Sequence, residues 1–148
     1  MKVVKLDLEN STEIEIPESE ELKGIFIGRK DKKVISRIVF AHSKPDLKSR
    51  INIKAVLYGT SKFDFEGVLK INKGASNTDT YLKIDCLILN DGAMARAIPS
   101  LEIKESAVRA GHGATIGYLD QDLIYYLKSK GLTDKQAEDM IVEAFINN

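Results

Sequence analysis

The chain has 148 residues, 43% of them apolar and 30% charged, and its 22 basic and 22 acidic side chains cancel. That length suits one domain with a core of its own, and the composition is too apolar for disorder. Charge balance removes the global field that recruits nucleic acid or an anionic membrane. Only 7% of residues are aromatic and none is Trp, and the longest apolar run, Leu123 to Leu127, falls far below the roughly 20 residues that cross a bilayer.

The opening Met1-Lys2-Val3-Val4-Lys5-Leu6-Asp7 threads charges through apolar residues, unlike the uninterrupted apolar core of a signal peptide. A single cysteine, Cys86, excludes an internal disulfide. Both point to the cytoplasm as the expected location. From here to about residue 103 the pattern is that of strands. Val4, Leu6 and Leu8 alternate with Lys5 and Asp7, and Ile14 and Ile16 with Glu13 and Glu15. Ile25 to Ile27, Val34 to Ala41, Ile51 to Tyr58, Phe63 to Ile71 and Tyr81 to Leu89 follow, rich in Val, Ile, Phe and Tyr. Turn-forming stretches separate them at Gly28 to Asp31, His42 to Asp46, Gly59 to Ser61, Lys73 to Ala75 and Asn90 to Gly92. Many short strands with no helix between them suit a sandwich, a barrel or a β-solenoid, and periodicity does not choose among the three. There is no strict hexapeptide repeat.

The last 30 residues change character. Asp120 is a good N-cap, Leu123, Ile124 and Leu127 follow at helical spacing, and Gly131 supplies a permissive C-cap. Thr133 and Gln136 form a capping box that opens a second helix. There Ala137, Met140, Ile141, Ala144 and Phe145 make an apolar stripe opposite Lys135, Glu138, Asp139 and Glu143. The expected organisation is a β core over residues 1–118 and a helical hairpin over 119–148 packed on it as one unit.

Charge clusters early in the chain. Glu13, Glu15, Glu18, Glu20 and Glu21 are followed by Arg29, Lys30, Lys32, Lys33 and Arg37, most simply as solvated strand faces and loops. Three residues bear on chemistry. Alternation places Cys86 on one face with Leu82, Ile84 and Ile88, either as a small packed hydrophobe or as a thiolate for a soft metal centre. His112 stands between Gly111 and Gly113, which leave its imidazole uncrowded and suit a metal ligand or proton carrier. His42 lies in a polar stretch and is expected to be solvated. No CxxC or HxxxH spacing marks a zinc site, and no GxSxG marks a hydrolase. No GxxxxGK[ST] or GxGxxG marks a nucleotide site, so any nucleotide must be bound by another chain. No paired-carboxylate site marks a polysaccharide-active enzyme in a solenoid cleft, and the chain is expected not to be an enzyme.

Three segments occur in a specific order. Ile98-Pro99-Ser100-Leu101-Glu102-Ile103 precedes Ala110-Gly111-His112-Gly113-Ala114-Thr115-Ile116-Gly117, and Leu119-Asp120 leads through Tyr126-Leu127-Lys128-Ser129-Lys130-Gly131-Leu132. The combination IPxLEI, HGAT and LDxxxxxYLxSxGL resembles the C-terminal signature of the SufB/SufD family, scaffold subunits of the SUF iron–sulfur cluster assembly system. The stretch from Ile53 through Gly67 and from Lys73 through Leu89 also resembles it, so the likeness runs from about residue 50 to 148.

The resemblance implies a right-handed parallel β-helix with a C-terminal helical pair. It also implies a partnership with a SufC-like ATPase, which holds the nucleotide and docks on the helical end. On this reading the contact residues are Tyr126, Leu127, Lys130 and Leu132. Tyr126 and Lys130, four apart, share a helix face. His112, and secondarily Cys86, are the residues implied to hold iron or an iron–sulfur cluster transiently. SufB-like sequences carry a cysteine where Ile84 stands and a glutamate where Gly113 stands, so this chain follows the SufD-like pattern. Family members are longer, with more coils. A short β-helix has open ends, and the helical hairpin is expected to cover part of the C-terminal one. The free edge is expected within Leu87 to Ile103, pairing with a SufB-like subunit or with a second copy in a homodimer. The alternative is a metal-free structural module that binds partners through the same surfaces.

Overall fold

The computed structural model describes residues 1–148. Nine strands come first: β1 (Lys2–Lys5), β2 (Thr12–Glu15), β3 (Glu20–Gly28), β4 (Lys33–His42), β5 (Lys48–Leu57), β6 (Lys62–Ile71), β7 (Asp79–Ile88), β8 (Met94–Ile103) and β9 (Arg109–Tyr118). Two helices follow, α1 (Gln121–Ser129) and α2 (Asp134–Asn147). Odd strands form one five-stranded sheet and even strands form a four-stranded one, and every pairing is parallel. The chain is therefore a parallel β-solenoid of about four turns with two C-terminal helices, as the resemblance implied.

The core lies between the two sheets because alternate residues of every strand point inward. In β5 these are Ser49, Ile51, Ile53, Ala55 and Leu57, all buried. Parallel register stacks like on like from coil to coil: Leu22 beside Ile51 beside Leu82, and Phe26 beside Ala55 beside Cys86. Large and small residues offset one another within a row. Phe26 takes the room that Ala55 leaves, and its ring stacks on Phe63, which stacks on Phe65, with centroids 5.4 Å apart at each step.

The corners stack as well. Tyr58 donates its backbone N–H to Gly28, Thr60 to Lys30 and Lys62 to Lys32, so the ladder continues round the bend. Lys30 and Gly59 both adopt left-handed backbone there. A Cβ at Gly59 would sit 2.9 Å from the Lys30 carbonyl oxygen, so the upper of these two stacked turns needs glycine. Successive coils advance by 29 residues from Glu20 to Ser49 but by 32 from Lys62 to Met94, because the corners absorb different lengths.

Two expectations need correction. Residues 109–118 are a full strand, although five of the ten are glycine or alanine at positions that blur the alternation. Pairing with β7 along its whole length overrides the weak local preference. His42 is not solvated: it ends β4, pairs with Ile71 and is fully buried. Its Nδ1–H donates to the Lys70 carbonyl at 3.1 Å, which leaves Nε2 to accept from the Ser49 hydroxyl at 2.8 Å. Ser49 in turn lies 2.6 Å from the Thr80 hydroxyl. This polar chain ties β4 and β6 to β5 and β7 across the interior. The acidic and basic stretches behave as solvated faces, with Lys32 paired to Glu9, Arg37 to Glu66 and Lys70 to Glu13. Such exposed pairs contribute little each.

Burial pushes the His42 imidazole below its ordinary value of 6.5, against the raising effect of its backbone hydrogen bonds and Glu15. The unfolded chain therefore takes up a proton here before the folded one does. The contribution of neutral His42 is whole above about pH 6.5 and is lost as pH falls through the lower folded value. Unfolding free energy should drop below that pH with an extra slope of up to about 1.4 kcal/mol per pH unit. His42→Gln should remove that extra slope, as read from urea unfolding at a series of pH values. Identical slopes in the two proteins would show that His42 does not titrate in this way.

Candidate functional site

His112 sits in the middle of β9, opposite Leu82 of β7. Leu82 is an inward, fully buried core residue, so the His112 position belongs to the inner face of the solenoid. It is nevertheless exposed, because β8 and β9 form the last coil and no further coil lies on them. The same holds for the large inward side chains of that coil. Leu101 and Ile103 of β8 and Ile116 and Tyr118 of β9 are 41%, 42%, 44% and 70% exposed, although their partners Leu69, Ile71, Cys86 and Ile88 are buried. The imidazole thus stands on an apolar, open end of the solenoid.

The flanking glycines serve the opposite face. A Cβ on Gly111 would come 3.1 Å from the Tyr81 ring, and one on Gly113 would come 2.9 Å from its hydroxyl oxygen. Tyr81 lies flat over β9 on the outside, and Gly111 and Gly113 are the positions that admit it. Their absent side chains seat a tyrosine and say little about crowding at His112.

Cys86 is inward on β7, as alternation predicted, and only 2% exposed. It packs in the main cluster with Ile53, Ala55, Ile84 and Ile88. Burial first, and the neighbouring Asp85 second, push its thiol up to about 12, so at neutral pH it is a protonated, poorly available sulfur. Cys86 and His112 share the inner face of adjacent strands but are four residues out of register. At the strand rise that is about 13 Å, too far for one metal ion. No group of three or more His, Cys, Asp or Glu side chains converges anywhere in the chain. Iron and cluster sites take four protein ligands or keep positions open, so His112 supplies at most one part of such a site.

The helical hairpin lies elsewhere than expected. Asp120 caps α1 by accepting from the backbone N–H groups of Asp122 and Leu123, and Thr133 and Gln136 form the capping box of α2. Gly131 takes left-handed backbone after α1, where Leu132 donates to the Leu127 carbonyl. The buried side of α2 is rotated from the predicted stripe. Ala137 and Val142 are buried and Ile141, Phe145 and Ile146 partly so, whereas Met140 is half exposed and Ala144 is exposed. This side packs on the outer face of the odd sheet, against Val56, Leu87 and Leu89. The open end of the solenoid is therefore left uncovered. At this end the free backbone edges are β8, which lies within the expected Leu87 to Ile103, and β9, whereas Leu87 to Leu89 lie beneath α2.

Of the four contact residues expected on the helices, Tyr126 and Lys130 are exposed and share a face, the Lys130 ammonium lying 5.5 Å from the ring centroid. Leu127 and Leu132 are half-buried. The structure adds Leu123, Tyr125 and Met140, large apolar side chains that are 40%, 78% and 50% exposed. A shallow groove lined by Lys130, Leu132, Gln136, Asp139, Met140 and Glu143 runs beside them. Local spacing marked Met140 as core, and only the docking angle of α2 shows that it faces outward.

The family model for the SufBD core domain of SUF-system iron–sulfur cluster assembly matches residues 9–145. Among curated proteins, an iron–sulfur cluster assembly SufBD family protein of Mycobacterium bovis is 32% identical over 133 residues, 84% of this chain and 34% of that protein. One from Mycobacterium leprae is 32% identical over the same span and shares. A second Mycobacterium bovis protein of the same description is 31% identical over 105 residues, 71% of this chain and 12% of that protein. The chain thus spans about a third or less of the length of these relatives. A match over nearly the whole chain, on a parallel solenoid with a C-terminal helical hairpin, shows that this protein belongs to the SufBD core family.

Proposed function

We propose that the chain acts as a scaffold or accessory subunit in iron–sulfur cluster assembly, SufD-like in its His112-Gly113 pattern. The observation that carries this reading is a histidine on the open inner face of the last coil, with no fellow ligand in its own chain. Iron or a nascent cluster is the cargo, and the remaining ligands come from whatever covers that end. The covering chain is a SufB-like subunit or a second copy of this one. Paired ends would bury Leu101, Ile103, Ile116 and Tyr118 and satisfy the free edges of β8 and β9. Cys86 contributes packing in the closed solenoid and becomes a ligand only if the last coil opens.

The chain itself catalyses nothing on this reading. A SufC-like ATPase in the cytoplasm supplies nucleotide hydrolysis and docks on Leu123, Tyr125, Tyr126, Lys130 and Met140, a surface whose aromatic and basic content suits a contact patch. A metal-free interaction module is the second reading, supported by the solitary imidazole and the buried thiol.

Light scattering at micromolar concentration should give a two-fold dimer of this chain, or a one-to-one complex once a SufB-like subunit is added. A monomer under both conditions would remove the proposed second half of the site. With ferrous iron and sulfide under reducing conditions, the wild-type complex should develop cluster absorbance, and His112→Ala should lose most of it while still pairing. Equal absorbance from His112→Ala would favour the metal-free module.

Lys130→Glu should weaken capture of a SufC-like ATPase by about tenfold with an unchanged circular dichroism spectrum, in line with a central contact worth more than 1 kcal/mol. Unchanged capture would remove Lys130 from the docking surface. Native protein should react with an aromatic disulfide reagent at Cys86 far more slowly than unfolded protein does. Equal rates would show that the thiol is not held in the core.

A further inference from the structure

The outer face of the odd sheet holds a lysine in an unusual setting. Lys54, near the end of β5, reaches across to the C-terminal turn of α2. Its ammonium donates to the carbonyls of Phe145 at 2.7 Å and Ile146 at 3.2 Å, and to that of Asn148. It also lies 5.6 Å from the Phe145 ring centroid. The three acceptors are 91, 92 and 94 residues away in the chain.

Each group complements the other. The last carbonyls of any α-helix have no partner within it. α2 has no basic side chain in its last turn, and Asn148 is its C-cap. Lys54 has lost water by burial, with Lys23 and Lys83 as like-charged neighbours. Asp85, the acid beside Lys54 in register, is already engaged by Lys83 at 3.3 Å and by the Thr115 hydroxyl at 2.6 Å. An ammonium short of acceptors thus meets a helix end short of donors and carrying partial negative charge.

The rest of the α2 attachment is apolar: Val142, Ile141, Phe145 and Ile146 against Val56, Leu87 and Leu89. Such contacts are non-directional and let a helix roll or slide. Charge-assisted hydrogen bonds to three carbonyls at one end fix both its rotation and its axial position. We infer that Lys54 is the positioning residue of the helical hairpin, a latch between β5 and the end of α2 that sets which side of the hairpin faces outward. The inference deepens the docking reading above, because Met140 is exposed only at this rotation.

Amide hydrogen exchange tests it without any partner. Lys54→Met keeps the length of the stem and removes the charge. Exchange across Met140 to Asn147 should speed up by about tenfold to a hundredfold, the range expected for losing charged hydrogen bonds. The amides of β3 to β7 should keep wild-type rates. Lys54→Arg retains the cation and should restore most of the protection. Wild-type protection of α2 in Lys54→Met, a uniform loss across strands and helix alike, or no restoration by arginine would each overturn the latch. Since no ATPase enters the measurement, failure here leaves the docking surface standing, and failure to capture an ATPase leaves the latch standing.

Discussion

Each coil of this protein exists because the one beneath it presents a parallel, in-register ladder of backbone groups. The same registration that pairs N–H with C=O from β3 to β5 to β7 also lays Leu22, Ile51 and Leu82 in one inward row. Backbone pairing and core packing are thus one constraint, and neither can be met by a coil standing alone. The corners obey it too, since stacked turns at Lys30 and Gly59 must place left-handed residues one above the other. Where the ladder stops, both halves of the constraint go unmet together. β8 and β9 offer unpaired backbone on one side, and their inward side chains face no further layer. His112 draws its character from that end: it is a core position by register and a surface residue because no coil follows.

A second consequence concerns the helices. A solenoid with one sheet face free can dock a helical hairpin on that face or on its end, and this chain uses the face. Val56, Leu87 and Leu89 give α2 an apolar bed on the outer odd sheet, and Lys54 holds its last turn. The open coil and the exposed side of the hairpin are therefore separate surfaces with different chemistry. One is an apolar sheet end with a histidine, and the other is a helical patch of aromatic, basic and methionine side chains. The role proposed for this chain, joining a paired scaffold and an ATPase, would use this separation.

Much of this was legible in the residues. Alternation marked the inner face of β7 and so placed Cys86 beside Ile84 and Ile88. Cap residues marked both helices, with Asp120, Gly131 and the Thr133–Gln136 box all where the chain uses them. The ordered IPxLEI, HGAT and LDxxxxxYLxSxGL segments pointed to the family that the comparisons then showed. β9 is hard to read because its glycines hide the alternation of Ala110, His112, Ala114 and Ile116, and two of them, Gly111 and Gly113, admit Tyr81 from the neighbouring β7. His42 was misread as solvated because Ser43, Lys44 and Pro45 after it read as a polar turn. Its burial depends on Ser49 and Thr80, one and two coils along the odd sheet.

The sequence by itself determined the strand faces, the helix ends and the family, because these rest on periodicity, capping and ordered motifs within short windows. Only the tertiary structure decided which inward residues are covered, which side of α2 is hidden and how far His112 lies from Cys86. Those outcomes depend on register between strands about 30 residues apart and on where coils end. The irregular corners, which advance successive coils by unequal lengths, keep that register out of any local pattern.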